Sequence, residues 1–196
     1  MLCSPPTHKF FENLQLATGR SDPSSPNNGV ESPQTGTAAP AVQANGEAPI
    51  QIYISYAEKD EELEEELVTH LTLLKRQHII STWHSRQIGL GREKDKEFDS
   101  HIDTAQIILL LVSPRFMASN YCYEQEMTRA MQRHTNGQAR VIPILLRHTD
   151  WKNAPFSNLQ GLPRNGKPVV SWTDRDQAWS MIASEIRRLC DELRGV

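Results

Sequence analysis

The sequence predicts a flavodoxin-like α/β fold for residues 49–196: an open sheet of five mainly parallel strands flanked by helices on both faces. Three observations point there. Short β-branched or apolar runs alternate with longer segments of helical period. The run at 106–112 (QIILLLV) is apolar enough to be buried on both faces, as central parallel strands are. Strand-then-helix alternation calls for crossover connections rather than hairpins.

Each element has its own signal. Residues 50–56 (IQIYISY) read as the first strand, rich in β-branched and aromatic side chains. After a turn at 58–60, residues 61–77 carry Leu63, Leu67, Leu71 and Leu74 on one face of an amphipathic helix. Acids in its first turns and Lys75 and Arg76 at its end suit the helix dipole. Residues 79–83 form a second strand. A loop with Gly89 and Gly91 follows, then a helix with Phe98 and Ile102 inward. After the third strand at 106–112, a turn through Ser113-Pro114 leads to a helix starting at Ser119 or Asn120, which packs Met127, Ala130 and Met131. Residues 141–146 (VIPILL) are a fourth strand, where Pro143 points to an edge or a bulge. Residues 169–172 read as a fifth strand. The closing helix at 177–193 turns Trp179, Ile182, Ile186, Leu189 and Leu193 inward.

The chain outside this domain has a different character. Between residues 19 and 49 it is mostly Ser, Pro, Asn, Gly, Ala, Thr and Gln, with four charged residues and only Val30 and Val42 as larger aliphatics. Such a stretch buries too little apolar surface to offset its ordering entropy, so residues 1–48 are expected to be a disordered segment. Within it, residues 8–17 place Phe10, Phe11, Leu14 and Leu16 either on a short amphipathic helix or on an unstructured tail.

Composition excludes several function classes. With 21 basic and 24 acidic residues the net charge is −3, so no global basic field attracts nucleic acid. No apolar run reaches the ~20 residues of a membrane span. Pro5, Pro6, His8 and Lys9 interrupt any signal-peptide core. The three cysteines, Cys3, Cys122 and Cys190, form neither a disulfide framework nor a CxxC zinc pattern, which fits a reducing cytoplasm.

The stretch 113–131 (SPRFMASNYCYEQEMTRAM) carries the chemistry. It brings Tyr121, Cys122, Glu124 and Glu126 to the carboxyl end of the third strand, where open α/β sheets hold ligands. On pattern alone, Glu126 is either a working carboxylate or a partner of Arg129 or of the helix start. Ser113 is expected to tighten the strand-to-helix turn, and Ser119 to cap the helix. Cys122 is expected to be core, since nothing basic lies beside it to make a nucleophile.

Five fragments, taken in order, resemble a Toll/interleukin-1 receptor (TIR) domain of the bacterial kind: IYISY, WHSRQIGLG, LLLVS, SNYCYEQEM and VIPILL. The resemblance spans residue 50 to about residue 193. It implies either an adaptor that only binds other TIR domains or an enzyme that cleaves the nicotinamide–ribose bond of NAD with one glutamate. Transferred position by position, the serine-aromatic-cysteine-glutamate pattern falls on Ser113, Ser119, Tyr121, Cys122, Glu126 and Met127. The first-strand pattern falls on Ser55 and Tyr56, and the loop pattern on Trp83, Arg86, Ile88 and Gly91. The resemblance thus implies Glu126 as catalytic residue, with Ser55, Tyr56, Trp83, Arg86, Ser119 and Tyr121 binding substrate. Two departures stand out. Ser85 replaces an aspartate common in that loop, and Tyr121 and Glu126 are one position further apart than in many plant and animal members. Counting by their spacing lands on Gln125, with Glu124 as the neighbouring acid; Met127 and Ala130 restore the pattern around Glu126.

One carboxylate suffices for such a reaction in principle. Ordinary glycosidases need two, because the leaving oxygen must be protonated. Nicotinamide leaves from a cationic nitrogen and departs neutral, so an acid facing the developing positive charge is the main requirement. No cofactor or metal is called for, NAD being the substrate. The expected partners are NAD and other TIR domains, in a homo-oligomer or filament joined through the loop from Trp83 to Gly91. A response-regulator role needs clustered aspartates at the first and third strand ends, where Ser55-Tyr56 and Val112-Ser113 stand instead.

Overall fold

The computed structural model describes residues 48–84 and 100–195. The expected tail with its short helix at 8–17, the loop residues 85–91 including Arg86, and Phe98 lie outside the described residues.

Among the described residues, four parallel strands form one sheet in the order β2-β1-β3-β4. They are β1 (Ile50–Ser55), β2 (Ile80–Trp83), β3 (Ile107–Val112) and β4 (Arg140–Leu145). β3 pairs with β1 on one side and β4 on the other, and all six of its residues are buried. Burial on both faces explains why its sequence is continuously apolar rather than alternating.

Alternate residues of the strands feed two cores. On one face, Ile52, Ile54 and Tyr56 pack with α1 (Glu61–His70) and α5 (Arg175–Arg194) through Leu63, Leu67, Trp179, Ile182 and Ile186. On the other, Tyr53, Ile108, Leu110 and Val112 meet Phe116 of α3 (Pro114–Ala118), then Cys122 and Met127, and Ala130 of α4 (Thr128–Thr135). The expected helix at 61–77 is divided at Leu71, where ψ is −4°, into α1 and α2 (Thr72–Arg76). Leu193, expected to face inward, is 39 % exposed; Cys190 holds the inward position one turn earlier.

The expected fifth strand is a correction. Val169–Ser171 forms a 3₁₀ turn instead. β4 is the edge of the sheet, and Pro143 directs its carbonyl outward to accept the Leu162 N–H at 2.8 Å. Its imino nitrogen faces the same way and has no hydrogen to offer, so an outer ladder lacks a donor there. Among the described residues the edge is met by an isolated bridge at Leu162, whose carbonyl also accepts the Leu145 N–H, and just past β4 the Val170 N–H donates to the Leu146 carbonyl. Gly161 permits this approach, since a Cβ there would stand 3.1 Å from the Pro143 carbonyl oxygen.

Candidate active site

The helix after β3 does not run as one α-helix. Following α3, residues Tyr121–Met127 form a π-helix that continues into α4. A π turn closes over five residues where an α turn closes over four, and such turns gather at functional sites. The extra residue between Tyr121 and Glu126 is accommodated there, so the acid meets the sheet despite its longer spacing. Ser119 Oγ accepts the Cys122 N–H at 3.2 Å at the start of the turn. Ser113 Oγ accepts the Phe116 N–H at 3.0 Å and so caps α3.

This arrangement separates the two candidate acids. Glu124 is exposed, whereas Glu126 is 0 % exposed and lies on the buried face with Cys122, Met127 and Ala130. Its two oxygens are held by two hydroxyls of β1. Tyr53 Oη donates to Oε1 at 2.5 Å and Ser55 Oγ to Oε2 at 2.5 Å. Tyr53 and Ser55 are two apart in a strand, so both point to the face that the π-helix covers. Charged acceptors make the shorter, stronger hydrogen bonds, and a buried carboxylate needs them. Arg129, the alternative partner considered for Glu126, forks onto Asp103 at 2.9 and 2.8 Å.

The Cys122 thiol lies beside this carboxylate and donates to the Tyr56 carbonyl at 3.3 Å. Burial first, and then the nearby Glu126 and Asp60 charges, push its pKa up to about 11, so it stays a thiol at neutral pH. Trp83, at the end of β2, is partly buried, its ring 5.4 Å from that of Tyr53 and stacked on His101 at 4.1 Å. Tyr121 is partly exposed on the first turn of the π-helix. Tyr56 occupies the opposite face of β1 from Ser55, with its Oη 3.4 Å from His84 Nδ1. The structure therefore brings Ser55 and Trp83 to the Glu126 side of the sheet and sets the Tyr56 ring on the other. Tyr53 was missed in reading the sequence. The signal was present, because it stands one alternation before Ser55.

Among the described residues, no three His, Cys, Asp or Glu side chains gather as metal ligands would. No helix among them is long and apolar enough to cross a membrane.

Residues 52–183 match the TIR domain family. The chain belongs to that family. It is 50 % identical over 136 residues to the uncharacterized protein y4lF of Sinorhizobium fredii (strain NBRC 101917 / NGR234). That match covers 69 % of this chain and 42 % of the relative, so the TIR chain spans about two fifths of that protein's length. Among solved structures, it is similar to the TIR domain of the Toll-related receptor TRR-2 from Hydra magnipapillata, at 20 % identity and a TM-score of 0.49. That match covers 69 % of this chain and 97 % of the receptor domain. The TIR domains of the activated Roq1 resistosome are similar at 18 % identity and a TM-score of 0.41, over 69 % and 84 % of the two chains.

Proposed function

We propose that this TIR domain hydrolyses NAD at the nicotinamide–ribose bond, releasing nicotinamide and ADP-ribose or a cyclised variant, with Glu126 as the catalytic carboxylate. The observation that supports this most is the pairing of Glu126 with two hydroxyls, Tyr53 Oη and Ser55 Oγ, each at 2.5 Å. Ribose presents hydroxyls of the same kind, so substrate can exchange for one of these donors without leaving the carboxylate unsatisfied. As the C1′–N bond breaks, its electron pair passes to the ring nitrogen and nicotinamide leaves neutral. The carboxylate then faces the oxocarbenium charge. Water or a hydroxyl of the same substrate captures C1′ and releases a proton.

In its resting state the carboxylate is closed to solvent. Substrate reaches it only when the side chains around it move, which fits activation by assembly with further TIR domains. We place the protein in cytoplasmic signalling or defence on the same reading. Replacing Glu126 with Gln keeps shape and one acceptor while removing the charge. Nicotinamide release by the full chain, followed across protein concentrations, should then be lost while the thermal transition persists. Release at the wild-type rate by that variant would remove Glu126 from the reaction.

The complete burial of Glu126 also favours a second reading, a non-catalytic adaptor in which this acid only ties the π-helix to β1. In that case the wild-type chain releases no nicotinamide at any concentration, and Glu126→Gln alters stability alone.

A further inference from the structure

A second buried acid at the sheet's rim is outnumbered by the cations around it. Asp60 follows β1 and is 1 % exposed. Its carboxylate accepts a hydrogen bond from Ser113 Oγ, from Arg115 Nη1 at 2.9 Å and from Arg147 Nε at 3.0 Å, both guanidiniums on Oδ1. Ser113 and Arg115 follow β3, and Arg147 follows β4, so three strand ends converge on one carboxylate. Arg115 Nη1 is further pinned by the Lys59 carbonyl at 2.6 Å. Two guanidiniums thus share one carboxylate.

A guanidinium carries five N–H donors. Asp60 and Lys59 occupy only Nη1 of Arg115 and Nε of Arg147. Among the described residues, Nε and Nη2 of Arg115 and both η nitrogens of Arg147 have no protein acceptor. The two side chains are 43 % and 36 % exposed. The cluster also stands where β1 and β3 lie side by side, the point at which the chain's crossovers diverge toward opposite edges. Ligands of open α/β sheets bind outside the strand ends at that crevice.

We propose that Arg115 and Arg147 form an anion subsite for the diphosphate of a dinucleotide, with Asp60 holding both guanidiniums ready. The assignment rests on the NAD-cleaving reading, because the diphosphate is then the part of the substrate remote from the bond that Glu126 faces. Planar forks match phosphate oxygens two at a time, and pinned forks lose little freedom on binding. Binding energy from such a remote group can drive the reacting end into place.

The test uses the full chain with Arg115→Gln and Arg147→Gln as separate variants, since each leaves one guanidinium on Asp60, and with Arg147→Lys for comparison. Calorimetry with ADP-ribose reads the subsite without catalysis. KM and kcat are measured for NAD and for nicotinamide riboside, which lacks phosphate. Each Gln variant should weaken ADP-ribose binding and raise KM for NAD by about tenfold or more. KM for nicotinamide riboside should stay unchanged, and Arg147→Lys should recover part of the loss. ADP-ribose binding at wild-type strength in both Gln variants, or equal losses toward nicotinamide riboside, overturns the subsite; so does a wild-type chain that fails to bind ADP-ribose. If ADP-ribose binds and the arginine variants lose it while no chain cleaves NAD, the subsite stands and the catalytic reading falls.

Discussion

Glu126 and Glu64 are acids buried on opposite sides of the same strand, and the fold treats them differently. Glu126 receives one hydroxyl on each oxygen, both from β1. Glu64, on α1, is 3 % exposed, and among the described residues its Oε1 has no hydrogen-bond partner. His84 Nε2 stands 4.0 Å from that oxygen, beyond hydrogen-bond reach. Burial, and then the charges of Glu65 and Glu61, raise the Glu64 pKa to about 7, against a smaller opposing pull from Lys75. Of these two buried carboxyls, one is supplied with donors by the neighbouring strand and the other holds its proton near neutrality. The first arrangement suits a group that must present a charge, and the second a group that merely fills space.

The largest effect expected from this contrast is on catalysis. Glu126→Gln should lower nicotinamide release by about 10²–10³, the usual cost of removing one preorganised electrostatic stabiliser. Comparable activity would mean that the well-supplied acid is a structural tie and would erase the functional side of the comparison. Glu64 should instead show itself through stability. Below its ordinary pKa of 4.5 the carboxyl is protonated in both folded and unfolded chains, and nothing is lost. As pH rises toward 7 the unfolded chain ionises first, so the folded state loses up to about 3 kcal/mol, and above that the loss is constant. Urea denaturation at pH 5 and pH 8 should give a smaller stability at pH 8, and Glu64→Gln should flatten the difference. A slope that persists in that variant removes Glu64 as its source.

Much of this was legible in the chain. The continuous run of β3 announced a strand covered on both faces, and the leucines of α1 announced its inner side. The preference for Glu126 over Glu124 came from Met127 and Ala130, which restore the family's pattern around it. The wide spacing from Tyr121 was visible as well, but only the π-helix shows how it is absorbed. Other features depend on elements far apart in sequence. Val169 and Val170 have the composition of a strand, yet strand formation needs a neighbour with free donors, and Pro143 on the β4 edge withholds one. Asp60, Arg115 and Arg147 belong to three different strand ends, so no local pattern could have gathered them.

Removing the hydroxyls one at a time sharpens the contrast most finely. Tyr53→Phe and Ser55→Ala each take a donor from a carboxylate that stays buried, so each should cost about 1–3 kcal/mol in urea denaturation. The two hydroxyls serve different oxygens of one group, and their losses should not add independently. The double variant removes both hydroxyl donors and should cost more than the sum of the singles, a coupling that a double-mutant cycle measures directly. Single losses within about 0.5 kcal/mol would show that other groups hold the carboxylate as well as these hydroxyls do. Glu126 would then differ from Glu64 in location alone.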